Sequence, residues 1–421
     1  MRRYNTRGNS FKTALIVGAL VLLSLVTLGA KDVDLRGMVR SYNAMTLSDA
    51  DLAINEQTID LILEGWGDMT RLVVNPYAYV GLDSEPEIGI REAYVDLFFE
   101  SMDVRIGKQA IVWGQAEGVF ITDIVSPRDM RSFILADFTE IRMGIPALKA
   151  DYYLGDYTFE GIWIPRFVPS SLPASDGLWA QEMTLPNGTP IVSSVTDVDT
   201  TFEDSELFGK ISRFGSSLSW EVMGGYAWTD EPYVTNIHND GTNFIADQEY
   251  GRFAVVGGSF SMPLGSTVVR GEAAMYIDKP FSSVTPIMPP TVEVEKHHQV
   301  QSLLGVDWNM WGVSMSGQYI LSYVHDHNAT LMELGKSVEE FKHTFTLRLQ
   351  DTYISDRLTA EIFVYFEPEP LNALFRPSLS WSIEDGVSIE GGLELFVGDE
   401  DGTFGMYSDN SLAYVSLRWY F

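Results

Sequence analysis

"YVSLRWYF", Tyr414 to Phe421, is built on alternation. Ala413, Val415, Leu417, Trp419 and Phe421 fall on one parity, and Tyr414, Ser416, Arg418 and Tyr420 on the other. A period of two, with one apolar and one polar or amphipathic face, marks a strand held between two environments. Soluble domains commonly end in a polar, frayed tail, whereas this sequence keeps a strand pattern to its last residue.

The same pattern recurs upstream. Ala93, Val95, Leu97 and Phe99 alternate with Glu92, Tyr94, Asp96, Phe98 and Glu100. Phe341, Phe345, Leu347 and Leu349 alternate with Lys342, Thr344, Thr346, Arg348 and Gln350. Leu358, Ala360, Ile362, Val364 and Phe366 alternate with Glu361, Phe363 and Tyr365, and Val387, Ile389, Leu393, Leu395 and Val397 with Glu390, Glu394 and Phe396. Segments of about ten residues suit a tilted strand that crosses a bilayer. Reading back from the carboxyl end predicts strands near 411–421, 387–398, 373–384, 356–367, 339–351, 311–324, 297–308, 266–278 and 249–262. It continues with 217–228, 205–214, 157–167, 143–154, 103–113, 90–100, 70–81, 57–67 and 33–43. These make eighteen, with sixteen as the alternative.

Connector lengths set the topology. "EDG" (384–386), "MPLG" (262–265), "FGSS" (214–217), "LGDY" (154–157) and "ESMD" (100–103) are short. The connectors at 168–204, 229–248, 279–296, 325–338 and 399–410 are long. Short and long connectors alternate along nearly the whole chain, only 368–372 being a short member of the long set, as they do between the periplasmic turns and outer loops of a transmembrane barrel. A soluble sandwich also alternates along its strands. Strand length, loop asymmetry and the aromatics Trp308, Trp311, Trp419, Tyr420 and Phe421, placed for an interfacial girdle, favour the barrel. The expected fold is therefore all-β, a transmembrane antiparallel β-barrel over 31–421.

Composition agrees. The 421 residues carry 58 acidic and 28 basic side chains, a formal charge of -30. That balance excludes nucleic acid as a partner, and 45% hydrophobic residues exclude a disordered chain. There is no cysteine, so thiolate metal sites, disulfides and cysteine nucleophiles are excluded. Mean hydropathy is +0.01. At the amino end, Arg2, Arg3, Arg7 and Lys12 precede the uncharged run Thr13–Ala30. We read 1–30 as a signal peptide cleaved after Ala30, although Leu28 occupies a place where a small residue is usual. A membrane anchor is the other reading of the run. Removing the four basic residues takes the charge from -30 to -34.

The terminal segment resembles the last strand of bacterial outer-membrane proteins, with an aromatic at the end and apolar residues at every second place before it. The resemblance implies that Leu417, Trp419 and Phe421 form an assembly signal for the barrel-assembly machinery. A second, local resemblance covers 90–167. "RIGKQAIVWG" (105–114), "DIVSPRD" (123–129) and "IPALKADYYL" (145–154) are similar to an uncharacterised outer-membrane family marked by an R-x-G-[RK]-Q-x-x-x-W-G strand. Ser126 departs from the asparagine usual in that family's turn. The motif also occurs in other porin-like families, so the resemblance implies a porin-like barrel and no particular solute.

Inward parity assigns Arg105, Gln109, Trp113, Arg270, Glu272, Lys342, Arg348, Glu361, Glu390, Glu394 and Arg418 as pore-lining candidates. Residues of this kind either touch a permeant solute or brace the wall, and bracing is the commoner use. "GVFITDIVSPRDMRSFILADF" (118–138) is more apolar than an outer loop should be. We therefore expect 115–140 to fold into the mouth as a constriction, the alternative being a short helix on the rim. His325 and His327 flank Asp326, but lack the further ligands a zinc site needs. The acidic stretches 197–206 and 398–402 lack a full calcium-ligand spacing. No catalytic motif is found, so neither an enzyme nor a cofactor is expected. The sequence points to a passive channel for small solutes with a mild cation preference. The alternatives are uptake of hydrophobic or amphipathic compounds and a structural or adhesin barrel. Expected partners are outer-membrane lipid, the assembly machinery and a small-molecule solute, with a homotrimer possible.

Overall fold

The computed structural model describes residues 32–82, 86–116, 118–135, 140–181, 183–184, 189–285 and 290–421. The signal-peptide reading of 1–30 and positions 117 and 136–139 of the expected constriction lie outside the described residues.

Strands run in chain order as β1 (Asp32–Thr46), β2 (Leu52–Trp66), β3 (Thr70–Val80), β4 (Glu87–Phe98), β5 (Met102–Gln109), β6 (Ile145–Leu154), β7 (Tyr157–Ile164) and β8 (Ile191–Val195). Next come β9 (Glu206–Arg213), β10 (Ser219–Trp228), β11 (Tyr233–Asn239), β12 (Phe244–Glu249), β13 (Arg252–Leu264), β14 (Thr267–Val284), β15 (Val292–Met310) and β16 (Val313–Val324). The rest are β17 (Leu331–Glu333), β18 (Lys336–Ser337), β19 (Phe341–Tyr353), β20 (Leu358–Glu367), β21 (Asn372–Glu384), β22 (Val387–Gly398) and β23 (Leu412–Tyr420).

Twenty strands share one sheet. Two of them, β17 and β18, form a small hairpin on β14, while β16 pairs directly with β19. Eighteen strands remain in the ring. All neighbours are antiparallel, and β23 pairs with β1 from Met38↔Tyr420 to Thr46↔Leu412. The ring is thus closed. Closure is what lipid demands, because each unpaired backbone group in hydrocarbon costs several kcal/mol. Gly37 and Phe421 exchange both of their backbone hydrogen bonds at this seam, at 2.8 and 3.0 Å.

The two parities separate cleanly. Leu207, Val222, Val256, Leu304, Leu347, Val415 and Leu417 stand exposed on the outer face, whereas Thr346, Glu272, Phe396 and Ser416 are buried on the inner one. An exposed apolar wall of this extent is a lipid-facing wall. Exposed Trp66, Phe99, Tyr157, Phe214, Trp311, Trp419 and Phe421 gather at the short-turn end, which is the girdle expected at an interface. Among the described residues no helix is long and apolar enough to cross a membrane; the crossing is made by strands.

Four local expectations need correction. The strand expected over 103–113 ends at Gln109. Beyond it, the Ala110 N–H donates to the Glu92 carboxylate at 2.8 Å, Ile111 to Ser126 Oγ at 2.8 Å and Trp113 to Asp123 at 3.0 Å. Side chains take the donors that a ladder would have used. Glu100, which continues the strand parity of Glu92 and Asp96 in the sequence, lies in the exposed turn after β4. The first outer connector is only 47–51, because β1 and β2 are each 15 residues long. Five strands were not expected. Three of them, β8, β11 and β12, form a separate small sheet from the long connectors.

Candidate functional site

The inner wall is lined by ion pairs between neighbouring strands. Arg105 on β5 reaches Asp96 on β4 at 2.6 Å and lies 4.0 Å from the Tyr94 ring centre. Asp96 also meets Arg71, which continues to Glu64 at 3.0 Å. Across the ring, Arg348 pairs with Glu361 at 2.8 Å, Arg376 with Glu394 at 2.7 Å and Lys342 with Glu367 at 3.0 Å. Arg418 stands 3.7 Å from Glu390, which also accepts from the Tyr414 hydroxyl at 2.8 Å. Antiparallel pairing puts opposite charges side by side, so much of the lumenal charge is matched within the wall.

The remaining candidates serve a different structure. The segment between β5 and β6 does not stay outside. Trp113 is buried, its indole N–H donating to the Glu160 carboxylate on β7 and its ring packed edge-on to Phe208 at 5.9 Å. Gln109 is fully buried and donates to the Ala147 carbonyl at 3.0 Å. Ile111, Trp113, Ile121 and Val125 join one apolar cluster with wall residues from β6 through β16. Phe133 joins a second cluster with Ala44, Phe363, Leu374, Phe396 and Leu412 on the other side of the ring. Val119 packs against both.

Polar clamps fix this crossing. Glu272 on β14 accepts from the backbone N–H groups of Gln115, Ala116 (2.6 Å) and Thr122 (3.4 Å), and from the Thr122 hydroxyl (2.8 Å). Two residues away on the same strand, Arg270 donates to the Gln115 carbonyl at 2.8 Å and to Asp307 at 2.7 Å. The far side is held by Tyr365 on β20, whose hydroxyl donates to the Gly118 carbonyl at 2.8 Å. The segment leaves the ring at its fifth strand and touches the eleventh and the fifteenth. A chain with those three contacts crosses the lumen. Gly114 and Gly118 permit it, with φ of +81° and +78°. A Cβ at Gly114 would press on Thr122 and the Glu272 carboxylate, and one at Gly118 on the Tyr365 hydroxyl.

Two further pieces fill the other side. Trp179, from the connector after β7, and Tyr407, from the 3-10 helix Gly405–Asn410, pack on Phe133 and Phe396 with ring separations of 4.9–6.1 Å. Glu140 pairs with Arg40 on β1 at 2.9 Å, and Arg131 with Glu87 on β4 at 3.1 Å. The sequence missed Trp179 and Tyr407, because nothing in a long connector announces which aromatic turns inward.

One cavity of about 120 Å³ lies between the crossing segment and the wall near the long-loop end. Phe120, Ile124 and Arg128 form one side, and Trp228 to Tyr233, Tyr276, Phe281 and Met332 to Leu334 the other. Arg128 pairs with Glu231 at 3.2 Å and Lys279 with Glu333 at 2.7 Å. Asp230 also lines it, in the linker outside the strands. Burial first, and then the neighbouring Glu231, hold the Asp230 carboxyl well above the usual carboxylate range. Among the described residues no group of three or more His, Asp or Glu side chains is arranged to hold a metal ion.

No curated protein matches the chain. Among solved structures it is similar to OccK5 (OpdH) of Pseudomonas aeruginosa, with 9% identity, 93% of this chain and 98% of that one covered, and a TM-score of 0.53. It is similar also to OccAB3 of Acinetobacter baumannii, with 10% identity, 93% and 99% covered, and a TM-score of 0.52. At such identities the likeness is one of fold, and the fold is that of an outer-membrane, porin-like barrel. The family described as "Protein of unknown function (DUF1302)" matches residues 77–382. That range holds the crossing segment, both of its β14 clamps and the cavity. With well over half of the chain matched, this protein belongs to the DUF1302 family.

Proposed function

We propose that this protein is a passive outer-membrane channel for small solutes, narrowed by the segment between β5 and β6. The observation that carries the reading is the closed ring with charged residues inside, apolar ones outside and one segment clamped across it. A permeant solute enters through the long-loop end, passes the edge of the segment and leaves toward the short turns. Preference among ions is set at the mouth, since the wall charges are largely paired. Exposed Asp399, Glu400 and Asp401 concentrate cations there. In this reading the chain is a channel and no enzyme. Its partners are outer-membrane lipid, the assembly machinery that inserts it and the solute. Association in threes is part of the proposal, and a monomer mass for the detergent-extracted barrel would remove it.

The test is a planar-bilayer recording of the folded protein beside a variant with 118–138 replaced by a short glycine-containing turn. The expected result is stepwise conductance that rises in the variant while circular dichroism still reports the sheet. A folded barrel that passes no current in either form refutes the channel. A second reading is favoured by the two apolar clusters that flank the crossing segment: uptake of a hydrophobic or amphipathic compound through a nearly closed barrel. That reading predicts negligible ion current in the parent protein together with saturable binding of an amphiphile.

A further inference from the structure

We infer that the cavity beside the crossing segment is a subsite for a small organic cation with an apolar body, its ammonium group seated against Asp230. The inference deepens the channel reading by giving the path a preferred class of solute, and it rests on that reading for its place in transport.

The cavity carries two cations and four acids on its lining: Arg128 and Lys279 against Asp123, Asp230, Glu231 and Glu333. Both cations are already engaged, Arg128 by Glu231 and Lys279 by Glu333. Asp123 is met from outside the cavity by Arg142 at 2.6 Å. Asp230 is left: among the described residues no hydrogen bond or ion pair reaches its carboxylate. Arg128 and Lys279 act on it through space while bonded to other acids, and a ligand ammonium supplies the direct partner that it lacks. An anion would meet an excess of acid, and an uncharged ligand would leave Asp230 as it stands.

The rest of the lining fits the apolar body. Phe120, Phe253, Tyr276 and Phe281 are among the lining residues. These rings already tolerate positive charge, with the Lys279 ammonium 5.2 Å from the Phe281 ring centre and the Arg128 guanidinium 5.2 Å from that of Phe120. A cavity of about 120 Å³ is close to the ~150 Å³ that accommodates one benzene ring. The apolar body is therefore no larger than one ring.

The experiment is isothermal titration of the folded, detergent-solubilised protein with benzylammonium, benzyl alcohol and benzoate, repeated on Asp230→Asn. Benzylammonium should bind saturably, at least about tenfold more tightly than either analogue. Asp230→Asn should remove that preference and leave heat-modifiable mobility unchanged. Equal binding of benzoate or benzyl alcohol to the parent, or an unchanged preference in Asp230→Asn, overturns the assignment. Should Asp230→Asn fail to fold, the order of the three ligands on the parent protein decides. A parent that conducts but does not bind benzylammonium ends the subsite alone. One that binds it but passes no current keeps the subsite and ends the channel reading.

Discussion

Replacing Glu272 by alanine removes the acceptor for three backbone N–H groups and one hydroxyl of the crossing segment. Glu272 is only 4% exposed, so bulk water does not take its place. Hydrogen bonds to a charged group contribute about 1.5–3 kcal/mol each. Counting only those from the Ala116 N–H and the Thr122 hydroxyl, docking weakens by about 3–6 kcal/mol. At 1.4 kcal/mol per tenfold change, the ratio of docked to undocked segment falls by about two to four orders of magnitude. Arg270, Tyr365 and the Glu160–Trp113 contact remain, so the segment stays tethered while its middle loosens. The expected result in a planar bilayer is a higher mean conductance with frequent flicker. Limited proteolysis should then cut near 116–122, where the parent resists. Glu272→Gln keeps one acceptor oxygen and should fall between the two. Wild-type conductance, noise and protease resistance in a folded Glu272→Ala barrel would refute the clamp.

Three other outcomes follow from the same structure. Gly118→Val forces a β-branched residue into φ of +78° against Tyr365, and should cost at least 1–3 kcal/mol of local docking, read as increased current noise. Replacing Asp399, Glu400 and Asp401 by asparagine or glutamine should move the reversal potential in a salt gradient toward zero. That effect fades at high salt, because the charges are screened over about 10 Å at 0.1 M; an anion preference in the parent would contradict it. Phe421→Asp sets a charge beside Trp419 on the outward face of the closing seam, and should lower the yield of heat-modifiable, membrane-inserted protein without blocking export, with normal insertion counting against the idea.

The ring was legible because lipid and lumen impose opposite chemistry on successive residues. All eighteen wall strands lie where alternation placed them, most within two or three residues at either end. The misses share a cause. Alternation reports a face, so it cannot distinguish a wall strand from a chain that leaves the wall while still running through apolar surroundings. "QAIVWG" reads as strand by parity, yet Gly114 has a positive φ and Glu92, Ser126 and Asp123 take the backbone donors of Ala110, Ile111 and Trp113. The strands β8, β11 and β12 were illegible for another reason. They lie in polar connectors where neither face meets lipid, and no period was enforced.

The use of the inward charges was less legible than their direction. An acid on the inner parity has several possible partners: a base one strand away, a backbone amide of something inserted, or a solute. Glu361 and Glu390 take the first, because Arg348 and Arg418 sit on the neighbouring strands. Glu272 sits next but one to Arg270 on the same strand, yet its carboxylate is occupied by backbone amides from 150 or more residues away. What separates these cases is the path of the crossing segment, and that path depends on two glycines and on which apolar residues find a wall. Asp230 belongs to neither class: it lines the cavity beside the segment, and the two cations there, Arg128 and Lys279, are bonded to other acids. An acid paired in the wall stabilises the barrel and an acid bonded to amides positions the segment. An acid with no bonded partner is open to a solute, and in the proposed reading selection rests on Asp230 and the outer mouth more than on the charge ladder that the sequence displays most openly.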